Sequence, residues 1–294
     1  MRKGFTFIEM VFVIVIMGIL AKFGSEIFRN VYLNYTQSTA NNELQVNTEL
    51  TLQQIGNRLQ YRIKDSVIAR RSNGNFTPIS SVVDSNYTAF EWVGYDIDGW
   101  LGDDTSTTPT WSGFIDVNNL INVNTLVSPS SDFQANGRVD TIIQALSTGD
   151  VNNAAIFFTG SNSDARTDYG WDGTPQIDQN NTSAHLIAAA GAIDRIVPGV
   201  DNYSGVDIYE QYKLAWTAYA LEVDASGTLR LYYDYQPWLG QRYNDGNGTS
   251  AILIQNVTTT KLRTIGDMIN IQVCISENNI TGSEYSICKE KAIF

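Results

Sequence analysis

The 294 residues include 31 acidic and 19 basic side chains, a formal net charge of −12. That charge is the opposite of the basic footprint of a nucleic-acid binder. Hydrophobic residues make up 43%, with fifteen Tyr, twelve Phe and six Trp, enough apolar bulk to exclude a disordered chain. The single histidine, His185, excludes multi-histidine metal sites and argues against a Ser-His-Asp enzyme. The two cysteines, Cys274 and Cys288, exclude a four-cysteine zinc site.

The chain opens with a short basic leader, Met1-Arg2-Lys3. From Phe5 to Gly24 an apolar run follows, interrupted by Thr6, Glu9, Gly18 and Lys22. As a helix this run spans ~30 Å, the thickness of a bilayer's hydrocarbon core. The basic residues ahead of it hold that end in the cytoplasm. A secretory signal peptide is the plainer reading, but the leader is very short and no A-x-A-like cleavage site follows. A simple signal anchor does not account for Glu9, because a carboxylate in an apolar span costs roughly 2.5 kcal/mol or more and marks a function by default.

Gly4-Phe5-Thr6-Phe7-Ile8-Glu9 followed by this run resembles the class III signal of type IV pilins and of the pseudopilins of type II secretion. The resemblance implies cleavage after Gly4 by a membrane-embedded prepilin peptidase and N-methylation of Phe5. It also implies that Glu9 attracts the free amino group of a neighbouring subunit's first residue. An ammonium and a carboxylate neutralise each other in a lipid-like core, where either alone is costly. The implied partners are other pilin or pseudopilin subunits, the prepilin peptidase and an inner-membrane assembly platform; direct nucleic-acid binding is not expected. The implied location is the bacterial inner membrane, single-pass with the head in the periplasm, then a periplasmic pseudopilus or a cell-surface pilus. Phe7 stands where the family usually has Leu, which keeps the apolar character.

Helical periodicity continues past the membrane run. Leu52, Ile55, Leu59, Ile63 and Val67 form one apolar stripe, and no proline precedes Pro78. The pattern predicts one helix from about Phe5 to about Arg70, with Asn34 to Asn42 as a candidate break. Ser72-Asn73-Gly74-Asn75 and Pro78 then stop it. The segments are therefore a leader over 1–4, a membrane or filament-core helix over 5–24, its amphipathic continuation over 25–71 and a β-rich head over 72–294.

In the head, strand-like runs cover Thr88–Val93, Ala154–Thr159, Thr217–Val223, Thr228–Tyr235, Ala251–Val257 and Met268–Ile275. Asp224-Ala225-Ser226-Gly227 reads as a hairpin turn. A helix followed by antiparallel strands is an α+β fold, the pilin architecture. The region from about 95 to 185, rich in Asn, Asp, Ser, Thr and Gly, reads as long loops or an inserted subdomain. The head is large for the family. Residues 219–231 and a C-terminal Cys resemble the larger minor members, pseudopilin J and minor pilin W. The expected function is a low-copy structural subunit, not an enzyme, that primes or sits near the tip of a type IV pilus or type II pseudopilus. The alternative is an adhesive or ligand-binding head displayed on a pilin anchor.

In the periplasm Cys274 and Cys288 are expected to oxidise, and the pilin resemblance, with its C-terminal disulfide loops, points the same way. Such a bond contributes ~3 kcal/mol in the chain-entropy model. Asp96, Asp98, Asp103 and Asp104 cluster in one loop, a candidate calcium set of hard oxygen ligands that lacks the closing Glu of a full calcium loop. No other cofactor is implied. His185, beside the apolar run Leu186 to Ala190, reads as structural rather than as a catalytic base.

Overall fold

The computed structural model describes residues 4, 6–83, 86–102, 108–119, 122–278 and 284–294, with the backbone alone at 277, 278, 284 and 285. Helix α1 covers Phe7–Gln60, 54 residues, or ~80 Å of rod. Asn34 to Asn42 does not break it. The Thr36 hydroxyl donates to the carbonyls of Leu33 (2.9 Å) and Tyr32 (3.1 Å), so this polar side chain is absorbed along the helix.

The helix ends about ten residues before the expected Arg70, which also moves the boundary placed at 71. The cause is capture by a strand. Ile63 N–H donates to Val93 O, and Tyr95 N–H donates to Tyr61 O, which turns the chain out of the helix and against β3. The buried Arg62 guanidinium caps the end, donating to Leu59 O (2.8 Å) and Asp267 O (2.6 Å). Ile63 therefore keeps the spacing of the apolar stripe but enters a different core from Leu52, Ile55 and Leu59.

Among the described residues two short helices, α2 (Ile97–Leu101) and α3 (Arg138–Leu146), accompany fourteen strands. These are β1 (Ile68–Arg70), β2 (Phe76–Pro78), β3 (Ala89–Gly94), β4 (Leu126–Val127), β5 (Ala155–Phe158), β6 (His185–Ala188) and β7 (Arg195–Pro198), then β8 (Tyr212–Ala215), β9 (Thr217–Val223), β10 (Leu229–Tyr235), β11 (Thr249–Ile254), β12 (Val257–Ile265), β13 (Met268–Asn278) and β14 (Glu284–Ile293). They form three sheets: β11-β10-β9-β3-β1-β2, β12-β13-β14 and β4-β7-β6-β5-β8. Every strand pairing within them is antiparallel.

The period-two alternation of strand side chains sorts them into layers. In β3, Phe90 and Trp92 face α1 and the β12–β14 sheet, while Ala89 and Val93 face the third sheet. In β5, Ala155 and Phe157 share that second core, and Ile156 and Phe158 point to a third core shared with Val139 and Ile143 of α3. The head thus has two inner β-layers buried on both faces. The β9–β10 connection over Asp224–Gly227 is the expected turn: Gly227 takes φ +76°, and its N–H donates to Asp224 O. The expected strand Ala251–Val257 is instead split at Asn256 (φ +60°) between β11 and β12.

Helix α1 lies against β13 and β14 along its second half. Gly56 lets it approach so closely that a Cβ there would stand 3.3 Å from the Lys291 side chain. The loop-rich insertion about 95–185 is an ordered subdomain with its own sheet and core, and it runs on to Ala215 through β8.

Candidate functional site

The first half of α1 stands clear of the head. From Phe7 to Tyr35 its large apolar side chains are exposed apart from the half-buried Leu33, among them Phe12, Ile14, Ile16, Leu20, Phe23 and Phe28. Among the described residues α1 is the one helix long and apolar enough to cross a membrane, by length and composition. Each such side chain gains roughly 1.5–3 kcal/mol on leaving water, so this surface is covered by lipid or by other apolar helices.

At the tip of this rod, Thr6 and Glu9 close a capping box. Thr6 N–H (2.9 Å) and Thr6 Oγ1–H (2.8 Å) both donate to Glu9 Oε2, and Glu9 N–H donates back to Thr6 Oγ1 (3.4 Å). Among the described residues Glu9 Oε1 receives no donor. The carboxylate is thus fixed at the helix start with one oxygen free for an outside cation. Gly4 is exposed just ahead of the cap; Phe5 lies outside the described residues.

Residues 1–21 match the family model of the prokaryotic N-terminal methylation motif. This match lies on the N-terminal signal and supports a type IV pilin or pseudopilin family. Comparison with curated proteins and with solved structures finds no match to this pilin-like chain. The motif points to a membrane-anchored structural subunit, and it implies processing by a prepilin peptidase and assembly with other pilins.

In the head, Cys274 and Cys288 form a disulfide across directly paired positions of β13 and β14. It ties the last strand, and with it the seat of α1, to the rest of its sheet. Asp96 and Asp98 are not brought together as cation ligands. Asp96 is buried at the N-cap of α2, where Oδ1 accepts from Gly99 N–H (3.0 Å) and Trp216 Nε1–H (3.1 Å) and Oδ2 from Trp111 Nε1–H (3.0 Å). Three N–H donors present positive hydrogens where a cation would need bare oxygen, so Asp96 anchors two tryptophans instead. Asp98 is exposed, and Asp103 and Asp104 lie outside the described residues. Among the described residues no three His, Cys, Asp or Glu side chains group as a metal set.

His185 is buried on β6, with its ring against Phe158 and its Nδ1 3.0 Å from Gln179 Oε1. Burial lowers its pKa to about 4, against ~6.5 in an unfolded chain. Between those values the unfolded chain binds more protons, so this contribution to stability is full above ~6.5 and is lost as pH falls towards 4. From pH 7 to 4 the wild type is expected to lose about 3 kcal/mol more stability than His185→Gln, at ~1.36 kcal/mol per pKa unit. Denaturation midpoints of both proteins at the two pH values check this, and equal losses refute it.

Proposed function

We propose that this chain is a low-copy subunit of a type IV pilus or type II pseudopilus, placed next to the tip, with its head in the periplasm before assembly. Glu9 is its register device: the free oxygen of its carboxylate pairs with the amino group that cleavage after Gly4 creates at Phe5 of a neighbour. The observation that carries the reading is the methylation motif at the end of a bare apolar rod whose other half is locked into a head of three sheets. A head of three sheets, one of them supplied by an inserted subdomain, is hard to repeat along a thin fibre, which favours few copies. The chain carries Glu9, so it keeps the means to pair with a subunit above it, which favours a position below the tip over the tip itself. The size of the head fits the larger minor members, pseudopilin J and minor pilin W.

In-frame deletion of the gene tests this. Loss of surface filaments in electron micrographs, restored by the wild-type copy, is the expected result for a pilus-priming subunit. Normal filaments with secreted proteins trapped in the periplasm give the pseudopilus version. Normal filaments and normal secretion overturn the proposal.

A further inference from the structure

The inserted subdomain carries a cleft of about 420 Å³ between the end of β5, the turn before β6 and the segment 205–209. That volume is in the range of small-ligand sites. Its polar lining divides into two sets. Ser161 Oγ–H donates to Phe158 O, Thr182 Oγ1–H to Asp168 O and Ser183 Oγ–H to Asp168 Oδ2, so these hydroxyls are spent holding the walls. The side chains of Asn162, Asn180, Asp207 and Tyr209 line the same cleft and have no hydrogen-bond partner among the described residues.

The fifth free group is on His185, and its state follows from its neighbours. Gln179 Nε2 donates to Leu186 O (3.0 Å) and Val200 O (3.1 Å), which fixes the amide so that Oε1 is the acceptor facing His185. His185 Nδ1 must then carry the hydrogen. The neutral ring is left with a bare lone pair at Nε2. That atom has no hydrogen-bond partner among the described residues and keeps some solvent access, so it opens to the cleft that His185 lines. Phe158 backs both His185 (centroids 4.9 Å) and Tyr209 (6.2 Å), holding imidazole and phenol in place. Asp178 caps the turn that carries Gln179 and Asn180. Gly205 (φ +81°) leaves room for Asn180: a Cβ there would come within 2.8 Å of Asn180 Oδ1.

We propose that this cleft is a binding site for a neutral saccharide. Sugar hydroxyls donate and accept, and they meet two amides, a carboxylate, an aromatic phenol and an imidazole lone pair held as an acceptor. Among the described residues no Lys or Arg lines the cleft, which disfavours a phosphate or carboxylate ligand. The aromatic Tyr209 offers a flat face to a sugar ring. The inference is independent of the chain's place in a filament.

The test uses the full-length chain in lauryldimethylamine oxide, a detergent without a sugar head group. The labelled protein is screened on an array of neutral oligosaccharides, and the strongest binder is titrated calorimetrically. Binding is expected, and it is expected to weaken at least tenfold in the Asn180→Ala/Asp207→Ala double variant, whose residues are exposed and outside the core. His185→Phe, which keeps a ring but removes the acceptor, is expected to do the same. If that variant loses its fold, the double variant alone decides. No binding to any neutral oligosaccharide overturns the proposal, as does binding that both folded variants retain in full.

Discussion

Glu91→Ala is expected to destabilise the head by about 3–5 kcal/mol, the cost of breaking a buried ion pair from one side. Glu91 on β3 and Arg70 on β1 are both buried, and Arg70 Nε–H donates to Glu91 Oε1. The remaining valences are filled. Tyr235 OH donates to Glu91 Oε2 (3.0 Å), and Arg70 also donates to Gly74 O (3.0 Å) and Trp171 O (2.8 Å). Removing the carboxylate leaves a guanidinium among neutral carbonyls and strips Tyr235 of its acceptor. Through Trp171 the pair also joins the first sheet to the inserted subdomain, so the loss spreads across their shared core. All six tryptophans lie between positions 92 and 238, so fluorescence-detected denaturation of the full chain reports the head alone. Arg70→Met combined with Glu91→Leu is expected to recover most of the loss, because a buried pair replaced by apolar groups of similar volume is often neutral. A cost below ~1 kcal/mol for Glu91→Ala would show that water reaches the pair.

Nothing in the local sequence announces this pair. Arg70 falls in a run whose i, i+4 apolar spacing continues through Ile63 and Val67, so it reads as helix; backbone hydrogen bonds from β3, distant in sequence, decide otherwise. The elements that were legible are those whose local signals agree with their burial. Thr217–Val223 and the run ending at Tyr235, with the Asp-Ala-Ser-Gly turn between them, fold as read. The last strand was not legible, because its alternation is polar on both faces. Lys289 and Lys291 point towards α1, where Lys289 pairs with Glu49 (2.9 Å) and Lys291 lies over Gly56. Long charged side chains cover apolar surface with their stems, which no hydropathy pattern reveals. Asp96 illustrates the same limit for sites. Its Asp-x-Asp-Gly context suggests oxygen ligation, while its actual partners, Trp111 and Trp216, come from positions 15 and 120 residues away. The signal at the N-terminus was legible because it depends on contiguous residues and needs no tertiary context.

For Glu9, the capping box separates two roles that an alanine substitution alone confounds. Glu9→Ala removes the charge and also the acceptor of Thr6 N–H and Thr6 Oγ1–H. Loss of a helix cap costs typically ~1 kcal/mol, a modest effect on a 54-residue helix. Loss of the counter-charge is larger. An ammonium left unpaired in a hydrocarbon-like core costs roughly 2.5–3.5 kcal/mol, on the order of 100-fold in an assembly equilibrium at ~1.4 kcal/mol per tenfold. Glu9→Gln keeps an amide oxygen at the same reach, so the box survives while the charge goes. Both variants are therefore expected to accumulate in the membrane at wild-type levels and to be lost from sheared filaments, as measured by immunoblot of the two fractions. If Glu9→Gln enters filaments like the wild type while Glu9→Ala does not, Glu9 acts by shaping the helix start, and the charge-pairing role is wrong. If Thr6→Ala, which removes the hydroxyl but keeps the carboxylate, assembles normally, the order of importance is settled: Glu9 serves its neighbour first and its own helix second.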